Sequence, residues 1–206
     1  EQSRMTLGEW LDQWLEDIAG TIRPNTMTRY QGTVVRHIKP YLGDKPVAQV
    51  KGKDIQKLYE TLATHGNRNT GKGLSSGTIR GIHSMLHEAL GAARQAGVIP
   101  KNPTEEIEAP KFSYKPKKVL TDEHLEKFME IIQKDAVWYD FFYTELTTGL
   151  RRGEICGLKW TDFDETDGTL KIRRTIHEEC GGKLTPWATK TAAGARTIRL
   201  PTNTAA

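Results

Sequence analysis

The chain has 206 residues, 27% of them charged and 36% hydrophobic, with a net charge of +4, a composition that suits a soluble globular protein of one large domain or two small ones. No apolar run approaches the roughly 20 residues of a membrane span, and no secretory signal pattern is expected at its start. The two cysteines, Cys156 and Cys180, lie far apart without zinc-type spacing, so a reduced, cytosolic protein is the expectation.

Along the chain, "MTLGEWLDQWLEDI" puts Leu7, Trp10, Leu11, Trp14, Leu15 and Ile18 on one helical stripe, read as core or subunit contact. "RPNTMTRYQGTVVRHIKPYLG" predicts a second helix from Asn25 or Thr26, with Pro24 just before it and Pro40 and Gly43 closing it. "VKGKDIQKLYETLATHG" predicts a third, followed by the Gly-rich loop "GNRNTGKGLSSG". The fourth, capped by Ser75 or Ser76, carries an apolar stripe through Ile79, Ile82, Met85, Leu86 and Ala89. These helices coincide with a charge excess. Residues 18–101 hold thirteen Lys or Arg against four acids, whereas residues 1–17 hold five acids against Arg4, and residues 119–206 hold twelve bases against fourteen acids. A basic all-α domain suits a polyanion such as nucleic acid, or else is a solvated basic face.

"NPTEEIEAPKFSYKPKKVL", with three prolines and four lysines and no periodicity, reads as a linker. "TDEHLEKFMEIIQKD" and "WYDFFYTELTTG" then predict two helices. "GTLKIRRTIH", "KLTPWATK" and "ARTIRLP" alternate and end at turns, predicting three strands of one small antiparallel sheet. Boundaries are expected at 1-108 for the helical domain, 109-118 for the linker and 119-206 for a mixed α/β part. A sheet with so few helices predicts an incomplete domain.

Between the last helices and the strands stands "TGLRRGEICGLKW". Arg151 falls at a sharp junction, where a permanently charged planar guanidinium beside helix-terminal N–H groups suits a phosphate. Glu154, in the first turn, can support that terminus and an arginine. In isolation, R-R-G-E reads more readily as a capping acid beside surface arginines. Ile155, Leu158 and Trp160 are expected to anchor the helix in the core, with Cys156 a small core residue. About forty residues on, Lys190 sits at the end of a predicted strand in "TKTAAGARTIRLP", where it can reach into a cleft as a proton donor or simply be solvated. His177 and Cys180, two ligand types on a probable strand, do not make a metal site.

Together these segments resemble the tyrosine recombinases, the phage-type integrases. "TGLRRGEICGLKWTDFD" is similar to their first-arginine box, T-G-x-R-x-G-E-x-x-x-L-x-W-x-D, and "TKTAAGARTIRLP" to their catalytic-lysine hairpin. The four-helix front resembles their core-binding domain, closest in style to phage and conjugative-transposon integrases. The resemblance implies a fold that is mainly α with a small antiparallel β-sheet: a helical, SAM-like core-binding domain, then an incomplete α+β catalytic domain. It implies that Arg151 grips the scissile phosphate, Glu154 supports the site and Lys190 protonates the leaving oxygen. Arg152 fills a variable position. No metal, nucleotide or other cofactor is implied.

Implied as well are double-stranded DNA carrying a core recombination site, a homotetramer on paired sites, an accessory directionality factor, no membrane, and a DNA-associated place in the bacterial cytoplasm. Groove contacts are expected at the start of the second helix, from Arg23, Asn25, Thr26, Thr28 and Arg29, and at the start of the fourth, from Lys72, Ser75, Ser76, Thr78 and Arg80. Ser76, Asn25 and Thr26 are equally readable as helix caps. The family's His-x-x-Arg and nucleophilic tyrosine should follow the lysine, yet all six tyrosines precede Arg151. The chain therefore reads as a trimmed, inactive fragment of a recombinase, with a non-catalytic DNA-binding regulator on the same scaffold as the alternative. An RNA-binding or purely structural helical protein leaves Arg151 and Lys190 unexplained.

Overall fold

The structure is a computed structural model that describes residues 4–67, 69–111, 116–178, 182–189 and 192–200. The chain divides into two compact units, Glu1–Pro116 and Lys117–Ala206.

The first unit is helical. Helix α1 (Leu7–Asp17) opens on a capping box: the Thr6 hydroxyl accepts the Glu9 N–H at 3.2 Å and the Glu9 carboxylate accepts the Thr6 N–H at 2.8 Å. Leu7, Trp10, Leu11, Trp14 and Leu15 are all buried, so the stripe is core, and the Trp10 indole N–H donates to the Ala89 carbonyl at 2.9 Å.

Helix α2 (Pro24–Thr33) starts one or two residues earlier than the expected Asn25 or Thr26. Pro24 is its first residue, because a proline there has the right φ and lacks only an N–H that would be orphaned anyway. Pro40 does not close this helical run. The ladder widens into a π turn over Val34–Ile38, where the Lys39 N–H donates to the Val34 carbonyl, and α3 (Lys39–Leu42) continues before Gly43. Proline 40 has no N–H for the carbonyl four residues back, and the wide turn absorbs the missing bond.

Helix α4 (Gly52–His65) buries Ile55, Leu58, Tyr59 and Leu62. Helix α5 (Ser76–Gln95) buries Ile79, Ile82, Met85, Leu86, Ala89, Leu90 and Ala93, the i, i+3, i+4, i+7 stripe of a helix packed on one side. The stretch expected to be linker from Asn102 is in its first part built into this unit, as a 3-10 turn over Pro103–Glu106. Asn102 and Thr104 are buried there. The Asn102 amide donates to the His87 carbonyl at 3.0 Å, and its oxygen accepts the Thr104 N–H at 3.0 Å and the Thr104 hydroxyl at 2.7 Å.

In the second unit, α6 (Asp122–Ile132) and α7 (Tyr139–Thr148) form where expected, and α8 (Arg152–Ile155) is a single turn. The strands differ from expectation. The first predicted strand breaks at Arg173 into β2 (Thr169–Ile172) and β3 (Arg174–Glu178), which serve two sheets. One has the order β1-β2-β5, from β1 (Phe163–Asp164) and β5 (Arg196–Arg199); the other is the hairpin of β3 with β4 (Leu184–Ala188). All pairings are antiparallel. Leu150, Leu170 and Ile172 form the buried core, with Ile155, Leu158, Phe163, Ile198 and Leu200 packed around it. Among the described residues no helix is long and apolar enough to cross a membrane.

The Asn102 bonds carry a prediction. Replacing a buried amide that makes three hydrogen bonds strands its partners, at about 1–3 kcal/mol. Asn102→Ala should lower the denaturant midpoint of the helical signal accordingly, and a loss under about 0.5 kcal/mol would mean that this side chain does not hold the segment.

Candidate functional site

The site is built where α7 stops. Gly149 takes the left-handed conformation, with φ of 64°, that ends the helix. Leu150 then drops into the core, and Arg151 follows in extended conformation just before α8. α8 lies against β3 so closely that a Cβ on Gly153 would stand 2.5 Å from the Thr175 hydroxyl and 3.0 Å from the Ile176 carbonyl oxygen. Glycine in the R-x-G-E pattern is thus a packing requirement.

Glu154 is only 4% exposed, and its carboxylate gathers four N–H donors. The Arg151 backbone N–H donates to Oε2 at 3.0 Å and Arg151 Nη1 to Oε1 at 3.0 Å. Arg196, from β5, donates through Nη1 to Oε1 at 3.2 Å and through Nη2 to Oε2 at 3.0 Å. The Arg196 fork, more than any other group, pulls the Glu154 carboxyl down to about 2; both Arg151 donors reinforce this and burial opposes it. The Arg151 side chain is 79% exposed. A buried anion therefore anchors a cation whose remaining donors face outward, an arrangement able to receive a phosphate.

Several expectations need correction. α8 is one turn long, too short for an aligned helix dipole to do much, so the site's positive charge is the Arg151 guanidinium. Ile155 and Leu158 do pack on the core. Trp160, expected to anchor the helix, is 92% exposed, and Cys156, expected in the core, is exposed as well. The helix ends at Ile155, so Cys156 and Trp160 are not carried on its apolar stripe, while Leu158 reaches the core from the turn that follows. Lys190 and Cys180 lie outside the described residues. His177 is half-buried on β3, and among the described residues no group of three or more His, Cys, Asp or Glu is placed to hold a metal.

Two further groups were not singled out from sequence. One is Arg196. The alternation of "ARTIRLP" puts it in phase with inward-facing Ile198, and an inward arginine demands an acid. The other is Asp162, 2% exposed, which accepts both ends of the Arg174 fork and the Lys159 N–H; Arg174 also donates to the Gly157 carbonyl at 2.9 Å. The Arg174 fork is the main cause holding the Asp162 carboxyl below its ordinary range.

In the first unit, the first set of expected DNA contacts lies on or just before α2. Asn25, Thr28 and Arg29 are exposed, and Arg23 and Thr26 are half-buried. Arg23 occupies the cap position without a side-chain cap bond, so neither Asn25 nor Thr26 caps α2. The Arg29 guanidinium lies 5.4 Å from the Tyr30 ring centre, and Tyr30 stacks on Trp14 and donates to Glu88 at 3.0 Å. In the second set, Lys72, Ser75, Thr78 and Arg80 are exposed and Ser76 is half-buried. Ser75 is the cap, accepting the Thr78 N–H at 3.2 Å, which leaves Ser76 in the first turn. Arg80 donates to the Pro110 carbonyl at 3.1 Å.

The Glu154 geometry has a pH consequence. The folded carboxyl titrates at about 2 against an ordinary 4.5. Since the folded value is the lower one, its stabilisation is complete above about pH 4.5 and is lost as pH falls toward 2. That gap is worth about 3 kcal/mol. Glu154→Gln should destabilise the second unit by about 2–3 kcal/mol at neutral pH and remove this carboxyl's share of the acid slope, leaving that of Asp162. Identical slopes in the two proteins would contradict the assignment.

Residues 6–63 match the family model described as the phage integrase, N-terminal SAM-like domain. The chain is 28% identical to a tyrosine recombinase XerC-like protein of Caldanaerobacter subterraneus subsp. tengcongensis, covering 97% of this chain and 53% of that protein. It is 27% identical to an integrase of Saccharopolyspora erythraea, covering 84% and 39%. It thus spans about half the length, or less, of these curated relatives. Among solved structures, the integrase of transposon Tn1549 in complex with a circular intermediate DNA superposes with a TM-score of 0.80 at 26% identity, over 98% of this chain and 63% of that one. A lambda integrase dimer bound to a COC′ core site shares the fold, with a TM-score of 0.69 at 24% identity over 93% and 51%. Residues 6–63 thus match the phage-integrase SAM-like domain, and the chain as a whole is similar in sequence and fold to tyrosine recombinases of the integrase type.

Proposed function

We propose that the protein containing this chain is a site-specific DNA recombinase that integrates or excises a mobile element through a 3′-phosphotyrosyl intermediate. The observation that carries the reading is the exposed Arg151 guanidinium held on buried Glu154, in a chain similar to integrases over nearly its whole length. In this reading Arg151 neutralises the non-bridging oxygens of the scissile phosphate, and Glu154 keeps it in place before substrate arrives, so little reorganisation is needed in the transition state. A tyrosine oxygen forms a bond to phosphorus, the bond from phosphorus to the 5′-oxygen breaks, and Lys190 gives that oxygen its proton. The phosphotyrosyl bond conserves the energy needed to rejoin a 5′-hydroxyl. No tyrosine follows Arg151 in these 206 residues, and the chain by itself is proposed to bind DNA without becoming linked to it.

The first unit supplies the grip on duplex DNA in this reading, through Arg23, Asn25, Thr26, Thr28 and Arg29 on one helix and Lys72, Ser75, Ser76, Thr78 and Arg80 on the other. Its surplus of nine positive charges over residues 18–101 supports that role. The reading extends to a homotetramer on paired core sites in the bacterial cytoplasm, with an accessory factor setting direction.

Two measurements test this. Duplex affinity of the 206-residue chain should fall with salt by about 0.9 log units per log unit for each neutralised phosphate, and the double variant Arg29→Ala, Arg80→Ala should bind more weakly with a shallower slope. Unchanged affinity and slope would rule out these surfaces as the contact. In the complete protein, Lys190→Ala should lose the roughly 10² to 10⁴ in rate typical of general acid catalysis. Replacing the bridging 5′-oxygen by sulfur should restore it, because a thiolate, from a thiol of pKa about 8.5, leaves without protonation. Arg151→Ala should stay impaired on the sulfur substrate. Equal rescue of both variants, or of neither, would refute the division of roles.

A further inference from the structure

The second guanidinium on Glu154 comes from 42 residues away. Arg196 is the first residue of β5, paired with Ile172 of β2, and Nη1 also donates to the Gly194 carbonyl at 3.1 Å. The two arginines share one carboxylate unequally. Arg196 is 32% exposed and places one nitrogen on each Glu154 oxygen, whereas Arg151 is 79% exposed and reaches the carboxylate with its side chain through Nη1.

A buried carboxylate prefers a bidentate fork. Without Arg196, Glu154 would keep one guanidinium within reach, and its vacated oxygen would draw Arg151 inward as the replacement fork. The donors Arg151 now turns outward would then be spent on Glu154. We propose that Arg196 is a positioning residue for Arg151: by occupying both oxygens of Glu154 from the sheet side, it confines Arg151 to a single side-chain contact and leaves the rest of that guanidinium free for a phosphate. The identity of that phosphate as the scissile one rests on the recombinase reading; the competition between the two arginines does not.

The test uses Arg196→Ala and Arg196→Lys, each alone and combined with Arg151→Ala, in the complete protein on nicked core-site DNA under single-turnover conditions. Arg196→Ala should slow cleavage by about tenfold to a hundredfold, the scale on which a misplaced group acts, while DNA affinity stays within about twofold. Arg196→Lys, which keeps the charge and loses the fork, should recover part of the rate. On the Arg151→Ala background, Arg196→Ala should cost less than about twofold more, because residues acting as one unit are not additive. Unchanged cleavage in Arg196→Ala, or a full multiplicative loss in the double variant, would overturn the proposal.

A second arm follows the Arg151 side-chain Nε–H by NMR in the 206-residue chain. Arg196→Ala should increase its protection from solvent exchange as Arg151 turns inward, and Arg196→Lys should do so less. An unshifted, equally exchanging Arg151 signal in a folded Arg196→Ala variant would also overturn the proposal. If the wild-type protein fails to cleave DNA, the recombinase reading falls, and the Arg151 signal still decides whether Arg196 positions it.

Discussion

A carboxylate almost without solvent contact has to find its counter-charge inside the protein, and in the second unit that requirement organises everything around Glu154. Removing an ion from water costs several kcal/mol, recovered only where geometry and hydrogen bonding are good. Here the backbone N–H of Arg151 and two guanidiniums supply the bonds. The arrangement fixes the polypeptide at the α7–α8 junction, ties β5 to the arginine box and orders a long, rotamer-rich side chain at the surface. Ordering an arginine in advance lowers the entropy it would otherwise lose on meeting an anion.

Asp162 repeats the device a few residues later. It too is buried, takes a bidentate arginine from a strand, and accepts a backbone N–H of its own turn, from Lys159. The segment from Leu150 to Asp162 contains one α turn and one 3-10 turn, too little regular structure to hold itself. Among the described residues, the buried apolar cluster at this segment is small: Leu150, Leu170 and Ile172. Two strand arginines, Arg174 and Arg196, therefore do much of what a larger apolar core would do. Removing one partner of a buried pair leaves the other charge without compensation, which makes each of these pairs costly to break.

What could be read in the sequence follows from which forces set each element. The stripes of α1 and α5 are long and periodic, and burial of their apolar faces dominates, so their core residues were legible. Pro40 misled because a lone π turn absorbs its missing N–H, and nothing in the side chains announces such a turn. The break at Arg173 was hidden because "TLKIRRTIH" keeps a strand-like composition across it. Trp160 and Cys156 were misplaced by extending a one-turn helix beyond its end. The spacing of Arg151 and Glu154 allowed a pair but in isolation favoured a capping acid beside surface arginines, and only the family resemblance gave them joint roles. Arg196 and Arg174 become partners of Glu154 and Asp162 only through tertiary contacts across 42 and 12 residues.

The two units solve opposite electrostatic problems. Helix α2 has no buried residue, and its Tyr30 stacks on Trp14 and donates to Glu88. Met27 and Tyr30 of this helix pack against the core from partly buried positions, while Asn25, Thr28 and Arg29 are exposed. Charge there is plentiful and diffuse, nine net positives over residues 18–101, which attracts a polyanion at long range with little selectivity. In the second unit charge is nearly balanced, twelve bases against fourteen acids over residues 119–206. Arg174 and Arg196 are turned inward onto carboxylates, and Arg151 is held outward from one.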